Sequence, residues 1–343
     1  MKNIWLHSVR FYIGLGLFFY YRRIHVKYRE RVPLQEPLLF VSNHNNALMD
    51  ALLIATQSGR FSYFLTRASV FKKPMINALL RSLNMIPVYR VRDGWHTVTN
   101  NTAVFANCSK CLSQGEAVAL FPEGNHHINR TVRPLSKGFT RIVFETLTRF
   151  PSTDLKLIPI GLNYEQADAF ADSVAVYFGT EISAKAYLES ERTSEALRLK
   201  HDVWQAITQL TTHIPADTYT ESLSRLQAVN ADFLNPEAVN RCLNSNFKKC
   251  SFKRTQQPKI LKAFFKFFMI VLLLGPYVIW KFLAEPKIKD VEFVATFRFG
   301  LAISLVPLWL FVVAIILAVG MGFQVALIYV SLSLLISLLA VKL

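Results

Sequence analysis

The sequence predicts an α/β fold, a mixed sheet flanked by helices, with an interfacial helix before it and a membrane-embedded helical region after it. Three observations predict this. Between Pro37 and Gly179, short β-branched or aromatic runs alternate with segments of helical spacing, the pattern of a sheet covered by helices on both faces. After Arg298 charged residues nearly vanish, leaving Lys342 alone. Within that tail, residues 300 to 320 and 322 to 340 are each long and apolar enough to span ~30 Å of hydrocarbon.

The chain divides into four parts. Residues 1–34 hold an apolar stretch from Phe11 to Tyr21 flanked by Arg10, Arg22 and Arg23, too short to cross a bilayer and suited to lying in its interface. A plain core helix is the alternative. Residues 35–185 form the candidate catalytic domain. In it "LLFVSNH" leads into a helix from about Asn46, with Asn46 as its cap. "FSYFLTR" precedes "FKKPMINALLRSL", and "MIPVYR" precedes a helix over 98 to 114. "AVALFPEG" precedes a helix from about Ser136, and "LKLIPIGLNY" and "SVAVYFG" are further strands.

Residues 186–262 read as a covering helical layer and a basic linker. From 241 to 262 the linker carries Arg241, Lys248, Lys249, Lys253, Arg254, Lys259 and Lys262 without an acidic residue, a composition that pairs with anionic headgroups. Residues 263–343 are the membrane region. Gly275 and Pro276 interrupt the block 263–284, so it re-enters or kinks, while 300–320 and 322–340 form a hairpin. A re-entrant block keeps Lys287, Lys289 and Arg298 on the cytoplasmic side with Lys342.

A formal charge of +16 over 343 residues suits nucleic acid or an anionic membrane alike, and the apolar tail decides for membrane. Cys108, Cys111, Cys242 and Cys250 are expected as free thiols in a reducing, cytoplasmic setting, because a chain of this size needs no disulfide staples. "CSKC" has the spacing of zinc and redox sites but falls in a helical stretch, and the second pair is wrongly spaced to complete a site. His126 and His127 find no further ligand at metal spacing, so no metal is expected.

The residues able to do chemistry cluster at strand ends, where α/β sheets place their sites. His44 follows an apolar strand, and Asp50 lies six residues on, in the next helix. With His44 ahead of the helix start, its ring can fold back on Asp50. The carboxylate then fixes the tautomer, and the other ring nitrogen can take a hydroxyl proton. This is half of a hydrolase triad, with the nucleophile left to the substrate; for the pair alone, a structural histidine is the competing reading. Pro122, Glu123 and Gly124 close another strand, offering a carboxylate beside a close-approach position. Arg90 ends a third, its planar fork suited to phosphate.

In this order, the ensemble resembles the glycerolipid acyltransferases of the PlsC type, which include lysophosphatidic acid and glycerol-3-phosphate acyltransferases. Asn43, His44 and Asp50 match their first motif, Arg90 the second, Phe121 to Gly124 the third, and Pro159 in "LIPIGL" the fourth. The resemblance covers roughly residues 35 to 185. This sequence departs by placing five residues between His44 and Asp50 instead of four, as in a subset that includes eukaryotic-type glycerol-phosphate acyltransferases. It also has Asn125 after the third motif and Asn84 where a glycine is usual.

The resemblance implies that His44, oriented by Asp50, deprotonates an acceptor hydroxyl that attacks an acyl thioester on CoA or acyl carrier protein. Arg90 would clamp the acceptor phosphate, Glu123, Gly124 and Asn43 would position the acceptor, and Lys137 would meet acceptor or CoA phosphates. No cofactor is required. The expected acceptor is lysophosphatidic acid or a similar lysolipid, with glycerol-3-phosphate as the alternative and a non-catalytic membrane-binding module as the remote one. The expected partners are these substrates and membrane phospholipid, not nucleic acid. The expected place is a bacterial inner membrane, with the catalytic domain facing the cytoplasm.

Overall fold

The computed structural model describes residues 2–89, 99, 101–252 and 259–343. Helix α1 (Lys2–Tyr20) leads through strand β1 (Arg23–Lys27) into the central strand β2 (Leu38–Ser42) and helix α2 (Ala47–Gln57). Strand β3 (Ser62–Arg67), helix α3 (Pro74–Ser82), strand β4 (Met85–Val88) and helix α4 (Asn101–Ser113) follow. Next come β5 (Ala117–Leu120), α5 (Gly138–Arg149), β6 (Lys156–Tyr164), β7 (Ser173–Phe178) and β8 (Ile182–Ser183). The remainder is helical: α6 (Arg192–Leu210), α7 (Tyr219–Ala228), α8 (Pro236–Asn244), α9 (Lys259–Leu272), α10 (Leu274–Val278), α11 (Val294–Met321) and α12 (Phe323–Lys342).

The described strands form one mixed sheet in the order β1-β7-β6-β2-β5-β3-β4, with β8 beside β6. From β6 to β4 the strands run parallel, and β7 turns antiparallel to β6. Every residue of β2 is buried, as expected of a parallel strand covered on both faces. Its side chains alternate between two cores. Leu39 and Val41 join Leu112, Phe139, Ile142 and Val203 of the α4, α5 and α6 layer. Leu38 and Phe40 join Leu17, Met49, Leu53 and Phe299, from α1, α2 and α11.

Pro159 sits inside β6, although proline lacks the donor a strand interior needs. It falls where β8, paired at Lys156 and Leu157, gives way to β7, paired from Ile160. Its carbonyl accepts from Gly179 in that gap, so the missing N–H lies at a break in the ladder. Asn84 has φ +60° and precedes β4. Asparagine tolerates that left-handed conformation better than other non-glycine residues, which accounts for it at a position where the resembled family has glycine.

Two expectations are corrected. The N-terminal segment is not helix alone: Ile24 and Val26, alternating with Arg23, His25 and Lys27, pair with β7 as an edge strand. Cys242 and Cys250 are not free thiols. A turn with positive φ at Asn246 and Phe247 brings them to a Cα separation of 4.6 Å, and they are disulfide-bonded. The cystine staples a lobe whose buried cluster, among the described residues, is Ile214, Leu226, Val239 and Cys242, and it removes the cysteine-based argument for reducing surroundings. Cys108 and Cys111 are free and buried, and burial pushes the Cys108 thiol up to about 12.

Helices α11 and α12 are long and apolar enough to cross a membrane. They form a hairpin that returns to the end of α1, where Lys342 donates to the Tyr21 carbonyl at 2.9 Å. Helix α9 and the helical segment that follows meet at 99°. The break frees the Leu272 carbonyl, which accepts from Trp309 Nε1 at 3.0 Å and from the Tyr329 hydroxyl at 2.8 Å. Such partners are what a broken helix needs away from water. At Gly275 any side chain would collide with the Trp309 ring.

Candidate active site

The C-terminal ends of β2, β5 and β6 converge. His44 leaves β2, and its Nδ1 lies 2.8 Å from Oδ2 of Asp50, a fully buried carboxylate on the first turn of α2. The same Oδ2 accepts the backbone N–H groups of Asn45 and Asn46, both at 2.8 Å. Asp50 therefore caps its own helix, where anionic charge also meets the positive end of the helix dipole. Asn46 occupies the cap position, as expected, but makes no side-chain cap bond; its amide donates to the Ala167 carbonyl instead. Ala47, between the two, holds φ +36°, a strained value of the kind that concentrates at functional turns.

The second carboxylate oxygen of Asp50 accepts from the Tyr164 hydroxyl at 2.5 Å. Tyr164 ends β6, is fully enclosed, and keeps its proton because burial, then the Asp50 charge, raises its phenol well above the usual range. Four donors thus fix Asp50. With Nδ1 turned to Asp50, Nε2 is the His44 nitrogen left to act on a substrate. The imidazole lies flat on Phe121, with centroids 4.0 Å apart and planes 13° apart. His126 meets its edge at 5.3 Å and packs in turn on Phe293, just ahead of α11.

Glu123 reaches back to this loop. Its Oε1 accepts the His44 backbone N–H at 3.3 Å, and its Oε2 pairs with Arg133 Nε at 2.9 Å. Burial pushes the carboxyl up, opposed by Arg133. Both oxygens of this nearly enclosed side chain therefore have protein partners. Gly124 holds φ +72° with open space around it, so conformation, not crowding, calls for glycine there. The Pro122 carbonyl accepts from the Ser136 N–H at 2.7 Å, tying the turn to the segment before α5.

Asn43 bonds both ways to Leu162: its Oδ1 accepts the N–H at 2.8 Å and its Nδ2 donates to the carbonyl at 3.0 Å. The amide carries the β2–β6 ladder one step beyond its last backbone pair. Beside it opens a cleft of about 500 Å³ lined by Asn43, Asn45, Arg130, Asn163, Thr211 and Tyr219; His44 does not line it. Lys137 is exposed at the start of α5. Arg90 lies outside the described residues.

The structure thus brings together Asn43, His44, Asp50, Pro122, Glu123 and Gly124. It adds Tyr164 and Arg133, which sequence reasoning missed, and Arg130, whose guanidinium donates to the Tyr164 and Glu165 carbonyls at 2.7 Å each. Arg130 and Arg133 follow the third motif closely in "HINRTVRP", a signal that could have been used.

The site is a carboxylate-oriented histidine at the strand ends of a mixed α/β sheet, and among the described residues no hydroxyl or thiol is bonded to its ring. Residues 23–163, which carry strands β1 to β5 and most of β6, match the family model described as Acyltransferase. The chain is 30% identical over 121 residues to an uncharacterized acyltransferase of Schizosaccharomyces pombe, covering 34% of this chain and 18% of that protein. It is 25% identical over 83 residues to glycerol-3-phosphate O-acyltransferase 1 of Saccharomyces cerevisiae, covering 24% and 11% respectively. The chain thus spans less than a fifth of the length of these curated relatives. A crystal structure of the 1-acyl-sn-glycerophosphate acyltransferase PlsC from Thermotoga maritima matches with a TM-score of 0.42 and 18% identity, over 60% of this chain and 80% of that one.

Proposed function

We propose that this protein transfers a fatty acyl group from acyl-CoA or acyl carrier protein to the hydroxyl of lysophosphatidic acid or a similar lysolipid. The observation that carries the reading is the His44–Asp50 pair, 2.8 Å apart, standing where the apolar tail begins. Phe293 and Thr296, at the root of α11, reach His126 and the N–H of Leu48. An acceptor whose tail stays among lipids could present its headgroup there.

In the proposed reaction His44 Nε2 takes the acceptor's hydroxyl proton as the oxygen attacks the thioester carbonyl. The C–S bond then breaks, and the imidazolium returns the proton to the departing thiolate. The thioester is already activated, so most of the requirement is positioning, and the step needs no metal or cofactor. Asp50 stabilises the imidazolium, while Glu123 and Asn43 serve by holding the His44 loop. Arg90 is proposed as the phosphate clamp from its motif, and Lys137 as a lesser contact for acceptor or CoA phosphates. In this reading residues 35–185 are catalytic, 186–262 cover them, and 263–343 hold the enzyme to a bacterial inner membrane with the site toward the cytoplasm.

Glycerol-3-phosphate is the second acceptor to consider, favoured by the five-residue spacing from His44 to Asp50 and by the name of the Saccharomyces relative. The full-length protein in nanodiscs, given radiolabelled acyl-CoA or acyl carrier protein with each acceptor in turn, separates the two. His44→Ala should lower the rate by about 10²–10⁴-fold, the usual value of a general base. Full activity in that variant would sink both readings.

A further inference from the structure

Helix α3 is a surface helix turned the wrong way out. All its residues are at least partly exposed, and its apolar ones are among the more exposed: Met75 at 83%, Leu79 at 49% and Ile76 at 39%. These positions, at i, i+1 and i+4, share one side of the helix. The turn before it adds Val70, 43% exposed. A nine-residue helix is marginal in water without a packed apolar face, and here much of that face points outward.

Two features identify what covers it. The first is charge. Arg67, Lys72, Lys73 and Arg81 rim the apolar patch, all exposed, and no acidic residue occurs from Phe61 to Asn84. Apolar residues inside a basic rim match a surface of anionic headgroups over acyl chains. The second is continuity with the apolar tail. Trp5 of α1 donates to the Ser82 hydroxyl at the end of α3, at 3.1 Å. From there α1 carries the exposed Ile4, Phe11, Leu15 and Phe18 toward its C-terminal half, which packs on α11 through Gly16, Ile303 and Phe299. One apolar path therefore runs from the membrane helices along α1 to α3.

We propose that α3 and the turn before it form a separate membrane-docking element, lying in the plane of an anionic bilayer with Met75, Ile76 and Leu79 at the acyl boundary. This rests on the reading of α11 and α12 as spans. Because β3 ends at this turn, the contact stands at the end of the sheet that carries His44. The catalytic domain is then held to the bilayer on two flanks, by the helical tail and by α3.

The test uses the full chain in phosphatidylethanolamine–phosphatidylglycerol vesicles, with an environment-sensitive thiol probe on Met75→Cys, Leu197→Cys or Ile328→Cys. These positions are 83%, 51% and 64% exposed, and the native cysteines are buried or disulfide-bonded, so labelling is selective. Lipids brominated along their acyl chains should quench the probes at 75 and 328 at least about twofold more than the one at 197 on α6, as expected of residues at acyl depth. Quenching at 328 but not at 75 overturns the proposal and leaves the spans standing. No quenching at 328 overturns the span reading and this proposal with it. Energy transfer between copies labelled at 75, without lipid quenching, overturns it in favour of contact with a second copy.

Discussion

Replacing Tyr164 with phenylalanine removes one hydroxyl and keeps the ring, so its main effect is loss of the bond to Asp50 Oδ1. Hydrogen bonds to a charged group contribute about 1.5–3 kcal/mol. Asp50 is fully buried, so water cannot replace the lost donor, and the upper part of that range is expected in global stability. Oδ2 keeps its three donors, and the catalytic loss should be smaller than the stability loss. If about 1.4 kcal/mol reaches the transition state, kcat/KM falls about tenfold. The fall should lie in kcat, with KM for the acyl donor unchanged, because Tyr164 touches Asp50 rather than a substrate. The assay is steady-state acyl transfer by the full chain in nanodiscs, run as a double-mutant cycle with Asp50→Asn. In the Asp50→Asn background the Tyr164→Phe effect should shrink by at least about 1 kcal/mol, since coupled neighbours are not additive. Additive losses, or an unimpaired Tyr164→Phe enzyme, would refute the argument that Tyr164 acts through Asp50.

Asp172 is a buried carboxyl whose pKa is raised by desolvation to about 7. The folded state then binds its proton more tightly than the unfolded chain, so stability declines as pH climbs from about 4 toward 7, by at most about 1.4 kcal/mol per unit. Thermal melts across that window should show the decline, and Asp172→Asn should flatten it. Cys242→Ser opens a loop of sequence separation 8, which the chain-entropy estimate values at about 2.5 kcal/mol. Hydrogen exchange should accelerate across residues 219–250 while the sheet stays protected; equal loosening of β2 would contradict a separate lobe.

Much of the fold was legible because its signals are local. The unbroken run in β2 announces a strand buried on both sides, and the long apolar blocks announce α11 and α12. His44 and Asp50 were legible as a pair because only six residues separate them. Tyr164 was not, being 114 residues from the carboxylate it holds and joined to it only through the β2–β6 pairing. Strand β1 escaped because two apolar residues among basic ones read equally well as the flank of an interfacial helix. The cystine escaped because its reason is the small core of one lobe, which no spacing reveals. Asn46 was assigned the cap on propensity, and the buried Asp50 carboxylate outcompeted it.

The first two turns of α11 belong to the core on one face of the sheet, where Ala295 and Phe299 are buried with Leu17 and Met49. If α11 and α12 span a membrane, as proposed, this packing sets the elevation of His44 above the lipid surface. An acceptor dissolved in that surface would reach it by sliding sideways, through two-dimensional diffusion. Turnover should then follow the acceptor's mole fraction among the surrounding lipids, and inert lipid added at constant total acceptor should slow the enzyme by surface dilution.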